Sequence, residues 1–205
     1  MAEHVLTLFA RPRRAGRAAL AAAGLAALQL WFGSLAMSLP GASGDSTLQL
    51  RMVLAAAWAA LAVGSLHSGM GGWEAAGGPR VRRAEGVQLL ACGAVAVGLA
   101  GGAELVVVGP SGAAAVGRAV LIWWGLAVLS GRALGRQQAW VLPMASIFPL
   151  SYLGWDTSGA VYWWNWPWAA PGDRACWALA AGSLAVGAAA WWLTPWRLRA
   201  LTRRR

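Results

Sequence analysis

The chain has 205 residues, of which 59% are hydrophobic and 12% charged, with a mean hydropathy of +0.53 and a net charge of +10. A soluble domain of this size keeps roughly a quarter of its residues charged, because its surface must face water. The composition therefore argues against a water-soluble globule and for a membrane protein. All seventeen basic residues are arginine. A nucleic-acid binder would gather them on a basic helix or beside a stacking platform; here they fall between apolar runs, and no nucleic-acid partner is expected.

Six apolar segments follow in chain order, predicting an all-α, polytopic integral membrane protein with six transmembrane helices: 18–39, 52–70, 87–108, 117–134, 140–155 and 176–196. A helix needs ~20 apolar residues to cross a ~30 Å hydrocarbon core, so the fifth is short, and Pro143 and Pro149 interrupt it. The chain divides into a basic cytoplasmic N-terminal segment (1–17), the six-helix domain (18–196) and a basic cytoplasmic tail (197–205). The lead Arg11-Pro12-Arg13-Arg14 would also suit a signal peptide. The apolar run after it, however, is longer than an h-region and ends in Leu39-Pro40-Gly41 without a small-x-small cleavage site, so a retained helix is expected.

Arginine placement sets the orientation. With both termini in the cytoplasm, fourteen arginines lie inside and only Arg51, Arg118 and Arg174 outside. Removing one crossing would strand a basic cluster on the wrong face. The predicted location is the inner (plasma) membrane.

Trp73, Trp140 and Trp196 fall near the predicted inner boundary, and Trp155 and Trp177 near the outer one, as interfacial anchors do. The outer connection from Asp156 to Ala175 needs more than anchoring. Tyr162, Trp163, Trp164, Trp166 and Trp168 are too apolar for a free aqueous loop, while Asn165, Pro167 and Pro171 prevent a full crossing. The expectation is an interfacial or re-entrant segment between helices five and six, serving as an outer gate or docking surface.

Glu104 and Arg118 lie at similar distances on either side of the turn Gly109-Pro110-Ser111, so an antiparallel hairpin predicts an intramembrane ion pair. That pair would either fix the hairpin or contact a substrate. The inner connection after helix two holds Trp73, Glu74, Arg80, Arg82, Arg83 and Glu85. It reads equally as a solvated turn or as a short helix docking into a partner, with Trp73 as anchor and the charges as rim.

Catalytic and metal patterns are absent from the sequence. Cys92 and Cys176 have no CxxC spacing, His4 and His67 are the only histidines, and a chain without lysine has no phosphate-binding Gly-Lys-Ser/Thr loop. No catalytic, cofactor or metal site is expected, and any ATPase must be another chain.

In layout the chain resembles the membrane subunit of an ABC-2-type exporter. The shared features are a basic N-terminal segment (Glu3 to Arg17), six helices with both ends inside, a coupling segment between helices two and three (Trp73 to Glu85) and a re-entrant outer segment (Trp155 to Trp177). It also looks like tryptophan-rich permease-like proteins of high-GC actinobacteria. The resemblance implies transport by a homo- or heterodimer driven by a cytoplasmic ATPase. The competing expectation is a non-transporting scaffold or assembly factor whose outer tryptophan segment docks a partner. A membrane enzyme using Glu104, Arg118 or His67 is the third.

Overall fold

The computed structural model describes residues 15–41, 44–66, 79–156, 158 and 160–193; of these, the side chains of 15, 37–47, 79, 80 and 82 are not described. Within the described residues the chain forms α1 (Ala15–Phe32), a hairpin of β1 (Ala36–Gly41) and β2 (Gly44–Gln49), then α2 (Leu50–Gly64), α3 (Pro79–Val107) and α4 (Pro110–Ala133). A 3-10 turn (Arg136–Gln138), α5 (Val141–Leu153) and α6 (Arg174–Trp192) complete it.

The six apolar segments each overlap one of these helices, so the mostly helical expectation stands. Among the described residues three helical spans are long and apolar enough to cross a membrane: Arg83–Val107, Pro110–Ala133 and Arg174–Trp192. Helices α1 and α2 are apolar but shorter. Helix α5, with 13 residues and Pro149 inside it, is about 20 Å long at ~1.5 Å per residue.

Two boundaries depart from expectation. The first apolar run does not continue to Leu39: α1 stops at Phe32, and residues 36–41 pair antiparallel with 44–49, Ala36 opposite Gln49 and Gly41 opposite Gly44. The protein is therefore not wholly α. Pro40 lacks the N–H that a helix would need, and the Gly- and Ser-rich stretch after it favours a turn. The second shift is at the inner connection, where α3 begins at Pro79. Proline is favoured in a first turn, whose N–H groups have no intrahelical acceptor. Arg80, Arg82, Arg83 and Glu85 thus belong to helix rather than loop.

Helix α4 lies at the centre. In an apolar 18-residue stretch of it 56% of the residues are buried, against 28% and 17% in the corresponding stretches of α3 and α6. It packs on α2, α3, α5 and α6, while α1 packs on α2 and α3. The core is built from small residues around two large ones: Ala55, Ala56, Ala59, Val116, Ala119 and Val120 surround the buried indoles of Trp58 and Trp123. Close approach of α4 and α6 depends on Gly125, where a Cβ would collide with Ser183; the Ser183 hydroxyl donates to the Ile122 carbonyl at 2.7 Å. Small residues at such a crossing let backbones touch without an intervening side chain.

The outer faces are apolar. Leu20, Trp31, Leu90, Val106, Phe148, Leu153 and Trp192 are all exposed. So many exposed large apolar side chains are unfavourable in water and suit hydrocarbon. The fold is compatible with a membrane protein.

Candidate functional site

Polar side chains inside an apolar bundle are costly unless paired, so each buried one marks a position where the structure has arranged a partner. They fall into two groups at opposite ends of the helices.

The first group lies at the end carrying the β-hairpin, the α3–α4 turn and the tryptophan segment. Glu104 of α3 accepts hydrogen bonds at Oε1 from Gln29 Nε2 of α1 (3.2 Å) and at Oε2 from Arg51 Nη1 of α2 (3.2 Å). Gln29 Nε2 also donates to the Ala100 carbonyl (3.0 Å), and its Oε1 accepts from Trp58 Nε1 (2.8 Å). Four side chains from three helices thus form one continuous network. The carboxylate is fully enclosed, and Arg51 is the cation that compensates it.

Arg118 of α4, also fully buried, does something different. Its Nη2 donates to the carbonyls of Trp166 (2.8 Å) and Ala169 (2.8 Å), and its Nη1 to those of Ala170 (2.7 Å) and Pro171 (3.4 Å). The expected Glu104–Arg118 ion pair is not formed. The hairpin does bring both residues to the same end, but Glu104 faces α1 and α2 while Arg118 faces the tryptophan segment. A guanidinium with five N–H groups is well matched to several carbonyls that non-helical backbone turns to one point; those of Trp166 and Ala169 have no other donor among the described residues, while Ala170 also accepts from the Asp173 N–H and Pro171 from Trp177 Nε1.

The tryptophan segment is therefore folded onto the bundle. Asn165, fully buried, donates from Nδ2 to the Gly154 carbonyl (2.9 Å), and its own carbonyl accepts from the N–H groups of Trp168 and Ala169. Trp164, Trp166 and Trp168 pack against the core, Trp166 edge-on to Trp123 with ring centres 6.1 Å apart, and Trp168 edge-on to Trp155 at 6.0 Å. Tyr162 stacks on Trp164 and stays exposed, as does Trp163. The five aromatic residues expected at a gate or interface thus divide into three turned inward and two outward, the inward set following the alternation Trp164, Trp166, Trp168. Asp173 ends the segment by capping α6, accepting from the N–H groups of Ala175 (2.8 Å) and Cys176 (3.3 Å).

The second group lies at the opposite end. Arg136, in the 3-10 turn, holds both carboxylate oxygens of Glu85 at 2.9 Å, donates to the Leu66 carbonyl after α2 (3.0 Å) and sits 5.7 Å from the ring centre of Trp191 in α6. Nearby Arg132 donates to the Leu193 carbonyl at 2.7 Å. Glu85, expected on the rim of a partner-docking segment, is instead an internal residue, buried because the bidentate fork of Arg136 is its partner. Arg83 is exposed. Trp73, Glu74 and His67 lie outside the described residues, as do the side chains of Arg80 and Arg82.

Charge is distributed unevenly between the ends. At the second end the described charged side chains are Arg17, Arg83, Arg132, Arg136 and Glu85. At the tryptophan end Arg51, Arg118 and Arg174 are matched by Glu104, Asp156 and Asp173. Among the described residues no group of three or more potential metal ligands occurs.

Residue type alone did not single out Gln29, Arg51, Arg136 or Trp191 as members of these clusters. The available signal was the expense of a polar group in an apolar run, which identifies the residue without naming its partner across 50 or more positions. Compared with protein-family models, curated proteins and solved structures, the chain matches none.

Proposed function

We propose that the chain is a plasma-membrane protein whose six helices all lie in the bilayer with both termini in the cytoplasm, and that it is the membrane subunit of an ATP-driven exporter whose ATPase is a separate chain. The observation that carries the reading is a groove of about 580 Å³ between α4 and α6, lined by Ile122, Leu126, Leu179 and Gly182 and bordered by Trp163 and Trp166. An apolar groove bordered by an aromatic outer segment suits an apolar or amphipathic passenger, and pairing two protomers through such faces would enclose a path. The charge asymmetry supports the orientation, since the arginine-rich end would face the cytoplasm. Helix α5 is shorter than the ~30 Å core, and the folded-back tryptophan segment would occupy the remaining depth. The ATPase would dock at the basic end, on Trp73, Glu74, Arg80, Arg82 and Arg83.

The test is co-purification in mild detergent, comparing wild type with the triple variant R80A/R82A/R83A. An ATPase is expected with the wild type and lost with the variant. If none accompanies either form, the exporter reading fails; if alkaline carbonate releases the chain from membranes, the membrane reading fails as well.

A second reading, a scaffold that docks a partner through the outer segment, draws support from the exposed rings of Tyr162 and Trp163 and from the engagement of Glu104 and Arg118 in internal contacts. It is favoured if W163A releases a membrane partner and no ATPase is found.

A further inference from the structure

The α4–α6 groove has a dimension and a charge that point to one occupant. Its α6 wall runs from Ala175 to Val186. Eleven steps of ~1.5 Å make this about 16 Å, close to half of a ~30 Å hydrocarbon core, the depth of one leaflet. Along that wall Gly182 leaves space: a Cβ placed there meets nothing within 4 Å. The Ala178 and Gly182 row begins, four residues earlier, at Arg174, the first residue of α6.

Arg174 is exposed and, among the described residues, has no hydrogen-bond or ion-pair partner; the neighbouring Asp173 turns its Oδ1 to the N–H groups of Ala175 and Cys176. A guanidinium one residue before Ala175, where the lining of an apolar slot one leaflet deep begins on α6, is complementary to a phosphate attached to a hydrocarbon chain. Trp163, exposed at the same mouth, and Trp177, whose Nε1 donates to the Pro171 carbonyl (2.9 Å), are the side chains that settle at headgroup level.

We propose that this groove is a specific phospholipid site: one acyl chain lies along α6 between Ala175 and Val186, and the phosphate is bound by Arg174. The proposal rests on the membrane reading above and is independent of whether an ATPase exists. It adds to that reading the chemical class of the groove's occupant.

The test is native mass spectrometry of the full chain in detergent, supplied with phosphatidylglycerol or with diacylglycerol, which has the chains without the phosphate. Wild type is expected to retain one phosphatidylglycerol in preference to diacylglycerol. G182L, which fills the groove where there is room for a side chain, is expected to weaken retention of both about tenfold. A178L fills the groove one turn away and serves as the second variant, with the elution volume and near-UV circular dichroism of each confirming the fold. R174Q is expected to reduce the preference for phosphatidylglycerol about fivefold while diacylglycerol binding stays as it was. Wild-type retention by both groove-filling variants overturns the site, and an unchanged preference in R174Q overturns the phosphate contact. Conversion of a dimer to a monomer by G182L, with no lipid retained by either form, overturns the proposal in favour of a second copy of the chain. Release of the chain by alkaline carbonate marks failure of the membrane reading itself, whereas lipid retention without an ATPase leaves the site standing.

Discussion

Two arginines near opposite ends of α4, one buried and one half-buried, solve the same problem by different means. Arg118, at the tryptophan end, is enclosed completely and compensated mainly by the carbonyls of one loop. Arg136, just beyond the other end, meets a carboxylate, a carbonyl and an aromatic face from three different elements. One guanidinium shapes a loop; the other ties helix ends together. The difference shows that burying a cation among apolar helices does not require a directly paired anion, provided enough carbonyls converge on it.

Breaking the Arg118 end should have the larger effect. R118M removes the donor of the Trp166 and Ala169 carbonyls, which have no other among the described residues, and leaving such groups unpaired costs about 1–3 kcal/mol each before relaxation or water entry. The expected outcome is a destabilisation of about 3–5 kcal/mol, in the range of broken buried polar networks. The thermal midpoint in detergent should fall, and limited proteolysis should cut between Gly154 and Asp173 while the Glu85–Arg136 end stays protected. If that loop keeps wild-type resistance, the carbonyl contacts do not organise it.

Breaking the other end should cost less. E85Q leaves Arg136, whose side chain is 31% exposed, with partial access to water and its remaining carbonyl contact. A loss of about 1–2 kcal/mol is expected. The double variant E85Q/R136Q should lose less than the sum of the two single losses; additivity would show that the ion pair carries no coupling energy. The smallest effect sharpens the contrast by testing the network beside Arg118. W58F keeps the ring in the core and removes the 2.8 Å hydrogen bond to Gln29, for a loss of about 1 kcal/mol in the same unfolding measurement.

Much of the fold could be read from residue order. The six apolar runs each mark a helix, and the arginines bordering them mark the basic end, because hydrophobicity and charge are properties of single segments. Even so, the end of α1 was hidden. An apolar run looks the same whether it continues as helix or turns into the strand 36–41, and pairing with 44–49 decides that locally. The start of α3 at Pro79 was masked by the resemblance to a loop segment, although proline in a first turn is itself a start signal.

For the candidate site, the chain on its own determined which groups could not be left alone: Glu104, Arg118 and the tryptophans of 163–168, each too costly or too apolar for its surroundings. It also determined, through the turn at Gly109, that Glu104 and Arg118 would reach the same end of the molecule. Only the tertiary structure decided their partners. Proximity along a hairpin brings two charges to one depth, but helix rotation sends their side chains to different neighbours. Arg51 and Gln29 reached Glu104 from α2 and α1, and the folded tryptophan segment presented its carbonyls to Arg118, because pairing depends on distances that residue order does not contain.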